Sequence, residues 1–102
     1  MSMDEKIRML YKKAIEVWTP QKQIGMLHEE IGELIVAINR LDRGRGTPHQ
    51  VLTELVDVEI LIGQMRVLFD LDDSEHEIEY NHKIARLEQR LIDANREVIK
   101  HG

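Results

Sequence analysis

Apolar residues recur at intervals of three and four along nearly the whole of this chain, and only two prolines interrupt the pattern. This spacing places apolar side chains on one face of an α-helix, whereas strict alternation of apolar and polar residues would be typical of a half-buried strand. We find no segment with sustained alternation. The sequence therefore predicts an all-α fold.

Capping signals divide the chain into four predicted helices. The Thr-Pro pairs at 19–20 and 47–48 each combine a cap with a proline suited to the first helical position. The glycines of 43–46 end the second helix, and Ser74 and Glu77 predict a capping box for the fourth. The predicted helices run from Met3 to Val17, from Pro20 to Asp42, from Pro48 to Phe69 and from about Ser74 to Lys100. The short connection between the second and third helices predicts that this central pair is antiparallel.

The third helix is apolar on two opposed sides, with Val58 and Leu61 on one and Val56 and Ile60 on the other. A chain of 102 residues corresponds to a single domain, 1–102, with a small core that cannot cover both sides. We therefore expect a homo-oligomer, either a dimer or a tetramer, assembled as a helical bundle.

Composition excludes several classes of function. The chain has no cysteine, so any metal ion must be held by oxygen or imidazole ligands, and a cytoplasmic location is expected. The net charge of −5 and the lack of a basic block argue against a nucleic acid polymer as partner. No apolar run approaches the roughly 20 residues of a membrane span.

Carboxylates stand inside the apolar stripes of the two central helices. Glu30 and Glu33 share the predicted packing face of the second helix, and Glu54 and Asp57 share that of the third, while Glu29 turns aside. One such glutamate would usually be solvated, but two pairs on facing helices should converge. Burial and mutual repulsion then oppose ionisation, so we expect a hard divalent cation, Mg²⁺, to neutralise the cluster.

The segments around these residues are HEEIGELIVAINR at 28–40, LTELVDVEILIGQM at 52–65 and NHKIARLEQRL at 81–91. From about residue 23 to residue 91 the chain resembles the MazG-like superfamily, the all-α nucleoside triphosphate pyrophosphohydrolases. The resemblance implies hydrolysis of an NTP or dNTP to the monophosphate and pyrophosphate, with Mg²⁺ as cofactor and Mn²⁺ as a possible substitute. It also implies the residue roles: the catalytic metal ligands are Glu30, Glu33, Glu54 and Asp57, and the phosphate-binding residues are Asn81, Lys83 and Arg86.

Other polar and aromatic residues have two possible interpretations. Trp18 and Gln23 flank the start of the second helix and could line a nucleobase pocket, as residues there do in some relatives, although a lone tryptophan is more often a packing anchor. Arg40, with the arginines at 43 and 45, could reach a triphosphate, but cations at a helix end also complement its dipole, and we favour that interpretation.

Two functions of other classes compete with the hydrolase. A non-catalytic helical interaction module would use the same apolar faces for assembly. A di-iron bundle would need two Glu-x-x-His pairs plus two further glutamates, and only the pair Glu79 and His82 is present.

Overall fold

The computed structural model describes the backbone of residues 3–101 and the side chains of residues 3–99. Four helices and no strand occur in this range, which confirms the all-α prediction. The helices are α1 (Glu5–Trp18), α2 (Pro20–Asp42), α3 (Pro48–Leu68) and α4 (Asp73–His101). Each bound lies within about two residues of its predicted position, as expected for helix ends, which fray. None of these helices combines the length and the apolarity needed to cross a bilayer.

The predicted caps of α2 and α3 are confirmed. The Thr19 hydroxyl accepts a hydrogen bond from the Lys22 backbone N–H at 3.3 Å. Thr47 and Gln50 form a reciprocal capping box, in which each side chain accepts from the backbone N–H of the other. These bonds satisfy N–H groups that the first turn of a helix leaves without partners, so local sequence is enough to start both helices.

The predicted capping box of the fourth helix is wrong. The helix begins at Asp73, and the Asp72 carboxylate accepts hydrogen bonds from the Ser74 backbone N–H at 2.7 Å and the Ser74 hydroxyl at 2.6 Å. These hydrogen bonds from Ser74 lower the pKa of the Asp72 carboxyl group. Asp72 rather than Ser74 therefore caps α4, because a carboxylate accepts the N–H groups of a first turn at least as well as a hydroxyl does.

The chain divides into two compact units, one spanning residues 3–71 and one beginning at Asp72 and containing α4. In the first unit α2 packs against α3, and α1 packs mainly against α3. The buried side chains are few: Val58 and Leu61 are apolar, whereas Gln23 and Gln64 are polar. A single domain over residues 1–102 stays a prediction.

Apolar residues on the other side of α3 remain exposed. Val56 is 42% exposed and Ile60 is 41% exposed. Val58 and Leu61, on the opposite side of the helix, are buried. The predicted two-sided character of α3 is therefore present, and α1 and α2 cover only one of its two sides.

Gly63 lies beneath the ring of Tyr11, and its replacement tests the packing of α1 on α3. A Cβ atom at Gly63 would lie 2.6 Å from Tyr11 Cε2 and 3.2 Å from Tyr11 Cζ, so the ring or α1 must move. Such overpacking typically costs about 1–3 kcal/mol, against a gain in helix propensity of about 1 kcal/mol. We expect Gly63→Ala to lower the free energy of unfolding by about 1 kcal/mol, measured by urea denaturation.

Gly25→Ala is the matched control. Gly25 is also helical, but nothing lies within 4 Å of a Cβ atom placed there, so only the gain in propensity applies. We expect this variant to be as stable as the wild type or more stable. Equal effects of the two substitutions would mean that Tyr11 does not restrict α3 at Gly63.

Candidate functional site: a carboxylate cluster between two clefts

Three carboxylates from two helices meet on the packed faces of α2 and α3. Glu30 and Glu33 are one helical turn apart on α2, and Glu54 faces them from α3. One oxygen atom from each of the three lies within 4.8 Å of the others. Glu30 and Glu54 are half-buried and Glu33 is exposed, so the cluster opens to solvent on the Glu33 side. We call these three residues the carboxylate cluster.

Two oxygen atoms of the cluster lack any hydrogen-bond donor. Glu30 Oε2 and Glu54 Oε2 are both inaccessible to solvent, and neither has a hydrogen-bond partner among the described residues. A buried acceptor without a donor is costly, and the cost is larger when the acceptor is charged. Oxygen donors at this spacing suit a hard divalent cation such as Mg²⁺ or Mn²⁺, so the residues present fit the predicted metal.

The electrostatics of Glu30 show how strongly this environment opposes charge. Burial, together with the neighbouring carboxylates of Glu33, Asp57 and Glu54, raises the pKa of Glu30 from 4.5 to about 7. These causes act in the same direction: desolvation and the charges of Glu33 and Asp57 disfavour the ionised form, and hydrogen bonding to the carboxylates of Glu33 and Glu54 favours the protonated form. A bound cation would reverse this effect and keep the group ionised at neutral pH.

Asp57 does not join the carboxylate cluster. Its carboxylate lies outside the group of oxygens that fall within 4.8 Å, although its negative charge contributes to the raised pKa of Glu30. Asp57 is exposed and lies three residues after Glu54 on α3. Three of the four predicted ligands are thus together, and the role of Asp57 as a ligand stays a prediction.

A cleft of about 610 Å³ adjoins the cluster, and we call it the α2–α3 cleft. Its polar lining residues are Glu29, Glu33, Arg40, Gln50, Thr53 and Glu54. Two members of the carboxylate cluster therefore line the cleft, and Arg40 is the only basic residue among the described residues that line it. Glu29 borders the same cleft but stays outside the cluster, as its position on the helix predicts.

A second cleft, of about 370 Å³, lies between α1 and α3, and we call it the α1–α3 cleft. Trp18 lines it and is 52% exposed, and Gln64 lines it from α3. Gln23 lies behind Gln64 and is only 1% exposed; its Nε2 donates a hydrogen bond to Gln64 Oε1 at 2.6 Å. Gln23 Oε1 is buried without a partner among the described residues.

Gln64 was missed by the sequence analysis. The signal was available, because Gln64 is the one amide side chain in the apolar segment EILIGQMRVL of α3. A buried amide requires hydrogen-bond partners, so a polar residue in such a segment indicates either a partner across the interface or a ligand.

The three residues predicted to bind phosphate all lie on α4, in the second unit. Lys83 is exposed, and its Nζ lies 3.8 Å from Glu79 Oε1 one turn earlier. Arg86 and Asn81 are also exposed. Lys83 and Arg86 share a side of α4, whereas Asn81 lies about 200° from Lys83 around the axis of the helix. Phosphate binding by these residues stays a prediction, and the helix geometry favours Lys83 and Arg86 over Asn81.

Comparison with known proteins adds no relative: no protein-family model, no curated protein and no solved structure matches this chain. Resemblance to the MazG-like superfamily therefore depends on the three quoted segments, and the prediction of a metal site depends on the geometry of the carboxylates.

Proposed function

We propose that this protein is a Mg²⁺-dependent nucleoside triphosphate pyrophosphohydrolase of the MazG-like type. The observation that carries the proposal is the carboxylate cluster, in which Glu30 and Glu54 each hold a buried oxygen without a hydrogen-bond donor. A structural role would supply donors to these oxygens, whereas a cation site leaves them available. The nucleotide substrate is inferred from the resemblance of the three sequence segments.

In the proposed reaction a water oxygen forms a bond to the α-phosphorus, and the bond from the α-phosphorus to the oxygen bridging it to the β-phosphorus breaks. Pyrophosphate leaves with the bridging oxygen, the nucleoside monophosphate keeps the oxygen of the water, and the proton that the water loses passes to the solvent. Mg²⁺, when bound, polarises the phosphoryl oxygens and stabilises the charge that develops on them. The carboxylate cluster would hold the cation, with Asp57 as the proposed fourth ligand. The resemblance assigns phosphate contacts to Asn81, Lys83 and Arg86, whose polar and cationic groups would offset charge on the leaving pyrophosphate.

The α1–α3 cleft is the proposed site for the base. An indole stacks well on a nucleobase, and Gln64 lines the same cleft with an amide that can bond to the edge of a ring. Gln23, buried behind it, orients this amide by donating to Gln64 Oε1. Trp18 is the only tryptophan of the chain, so its fluorescence reports on this cleft alone. Quenching by a nucleotide but not by inorganic tripolyphosphate would support this assignment, and equal responses would contradict it.

The proposed enzyme has an antiparallel α2–α3 pair and assembles as a homo-oligomer in the cytoplasm. Antiparallel packing is supported by the residue pairs, since Gln23 contacts Gln64 whereas Arg40 shares a cleft with Gln50. Assembly is supported by the exposed side of α3, which a second copy would cover. Light scattering at low protein concentration should give a mass of at least two chains, and a stable monomer would contradict assembly.

The proposal is tested by measuring pyrophosphate release from a panel of NTPs and dNTPs with and without Mg²⁺. We expect metal-dependent turnover of at least one member, with pyrophosphate and the monophosphate as direct products. No turnover across the panel, or orthophosphate as the direct product, would contradict the proposed reaction.

A non-catalytic assembly module is the second candidate, and the exposed apolar side of α3 favours it. Such a module would have no use for the carboxylate cluster. Neutralising Glu33 would then leave assembly and every other measured property unchanged, and Mg²⁺ would not affect stability.

A further inference from the structure

Arg40 occupies an unusual position for a cation that only complements a helix dipole. It lies in the last turn of α2, where a positive charge is favourable, but it also lines the cleft that contains Glu33 and Glu54. Its guanidinium forms no ion pair with any residue that the structure describes, although carboxylates line the same cleft. A guanidinium with five donors and no partner in a cleft is available to a ligand.

The order of functional groups along α2 matches that of an extended nucleoside triphosphate. Gln23, beside the cleft proposed for the base, is seven residues before Glu30, which corresponds to about 10 Å along the helix axis. Arg40 is seven residues after Glu33, again about 10 Å along the axis. The carboxylate cluster is therefore in the middle, with an amide pair toward one end and a guanidinium toward the other.

Charge in the α2–α3 cleft limits what can occupy it. Without a cation the carboxylates of Glu29, Glu33 and Glu54 repel any anion, and Arg40 alone would not offset them. A divalent cation on the cluster would offset two of these charges, and an anion could then coordinate the metal directly at one end and reach the guanidinium at the other. A chain of linked phosphates has this form, because each phosphate carries negative charge and oxygens suited to bidentate contact with arginine.

We propose that Arg40 binds the terminal phosphate of the substrate, so that the α2–α3 cleft selects a triphosphate over shorter phosphate chains. The inference rests on the proposed function and assigns a specificity-determining residue within its site. Arg40 contributes to substrate binding through the terminal phosphate, which leaves as part of pyrophosphate. Removal of the guanidinium should therefore raise KM more than it lowers kcat.

The test compares Arg40→Gln with Arg43→Gln, using inorganic tripolyphosphate and Mg²⁺ as the probe in isothermal titration calorimetry. Arg43 is the exposed C-cap residue of α2, so both substitutions remove one positive charge from the same helix end, but Arg43 does not line the cleft. A charge-assisted hydrogen bond predicts at least about a tenfold loss of affinity for Arg40→Gln and less than about a twofold loss for Arg43→Gln. Arg40→Lys, which keeps the charge but lacks the planar fork, should fall between them.

Both arginines are exposed, so circular dichroism should show unchanged helicity in all three variants, and Mg²⁺ affinity without phosphate should be retained. Equal losses in Arg40→Gln and Arg43→Gln would overturn the inference, because a helix-dipole role predicts that result. If the wild type releases pyrophosphate but Arg40→Gln has an unchanged KM, the inference fails and the proposed function stands. If the wild type binds neither Mg²⁺ nor Mg²⁺ with tripolyphosphate, both fail together.

Discussion

Glu33→Gln is expected to lower kcat for the preferred nucleotide by about 10² to 10⁴-fold. The substitution removes one of the three carboxylates of the proposed cation site but keeps the size of the side chain. A bound cation contributes several kcal/mol of charge stabilisation, and each loss of about 1.4 kcal/mol corresponds to a factor of ten in rate. Glu33 is exposed, so the loss should not result from unfolding.

Glu29→Gln is the matched control for this prediction. Glu29 is on the same helix and borders the same cleft, but it lies outside the carboxylate cluster. Its neutralisation should reduce kcat by less than about tenfold, because it changes the electrostatic potential near the proposed cation site without removing a ligand. The measurement is the initial rate of pyrophosphate release at saturating Mg²⁺. Similar losses for Glu29→Gln and Glu33→Gln would mean that the catalytic face of α2 is wrongly assigned.

Asp57→Asn tests whether Asp57 is a metal ligand, as the resemblance implies, or only a charged neighbour of the carboxylate cluster, as its position suggests. The resemblance implies that Asp57 is a ligand, which predicts a loss as large as that of Glu33→Gln. The structure places Asp57 outside the cluster, near enough to influence Glu30 by charge. Titration of Mg²⁺ in the assay decides between the two. A ligand should raise the Mg²⁺ concentration needed for half-maximal rate by orders of magnitude, and a charged neighbour should raise it only a few-fold.

Mg²⁺ is expected to stabilise the protein strongly, and more at pH 7.5 than at pH 5.5. In the folded state the pKa of Glu30 is raised from 4.5 to about 7 by burial and neighbouring carboxylates. Between these two values the folded state holds a proton that the unfolded chain has released. The free energy of unfolding of the metal-free protein therefore falls as the pH rises through this interval.

Cation binding opposes that loss because it favours the ionised cluster. At pH 5.5 Mg²⁺ must displace the proton on Glu30, whereas at pH 7.5 most of that proton has already left. At a hundredfold excess over its Kd a ligand adds about 2.7 kcal/mol to stability. For a domain of this size we expect a rise in Tm of roughly 10–20 °C at pH 7.5 and a smaller rise at pH 5.5. Protein concentration must be held constant, because assembly also changes Tm.

Glu54→Gln should lose most of this response to Mg²⁺ while leaving the metal-free protein as stable as the wild type or more stable. The substitution deletes a repulsive charge and lets the buried Oε2 position carry an amide, which can donate a hydrogen bond to Glu30. Glu59→Gln, an exposed change on the same helix, should leave the response intact. A wild-type Tm indifferent to millimolar Mg²⁺, together with a strongly destabilised Glu54→Gln, would show that these carboxylates are structural.

Sequence alone determined the helices of this protein and the presence of carboxylates on their packing faces. Both depend on local information: the caps at Thr19 and Thr47 satisfy N–H groups within four residues, and the period of a helix assigns Glu30 and Glu54 to a face without knowledge of the neighbour. The one incorrect cap, at Ser74, is two residues from Asp72, which caps the helix instead. Both residue types are good caps, so the sequence did not specify at which of the two the helix begins.

Only the tertiary structure decided which side chains meet across helices. A face about 100° wide contains several residues, and the axial offset between α2 and α3 selects among them. That offset brings Glu54 to Glu30 and Glu33, leaves Asp57 outside the cluster, and places Gln64 on Gln23. It also places Arg40 at the cleft that begins at the carboxylates. The periodicity of a sequence specifies which face of a helix each residue occupies. It does not specify how far one helix is shifted along the axis of its neighbour, which depends on how the two surfaces pack.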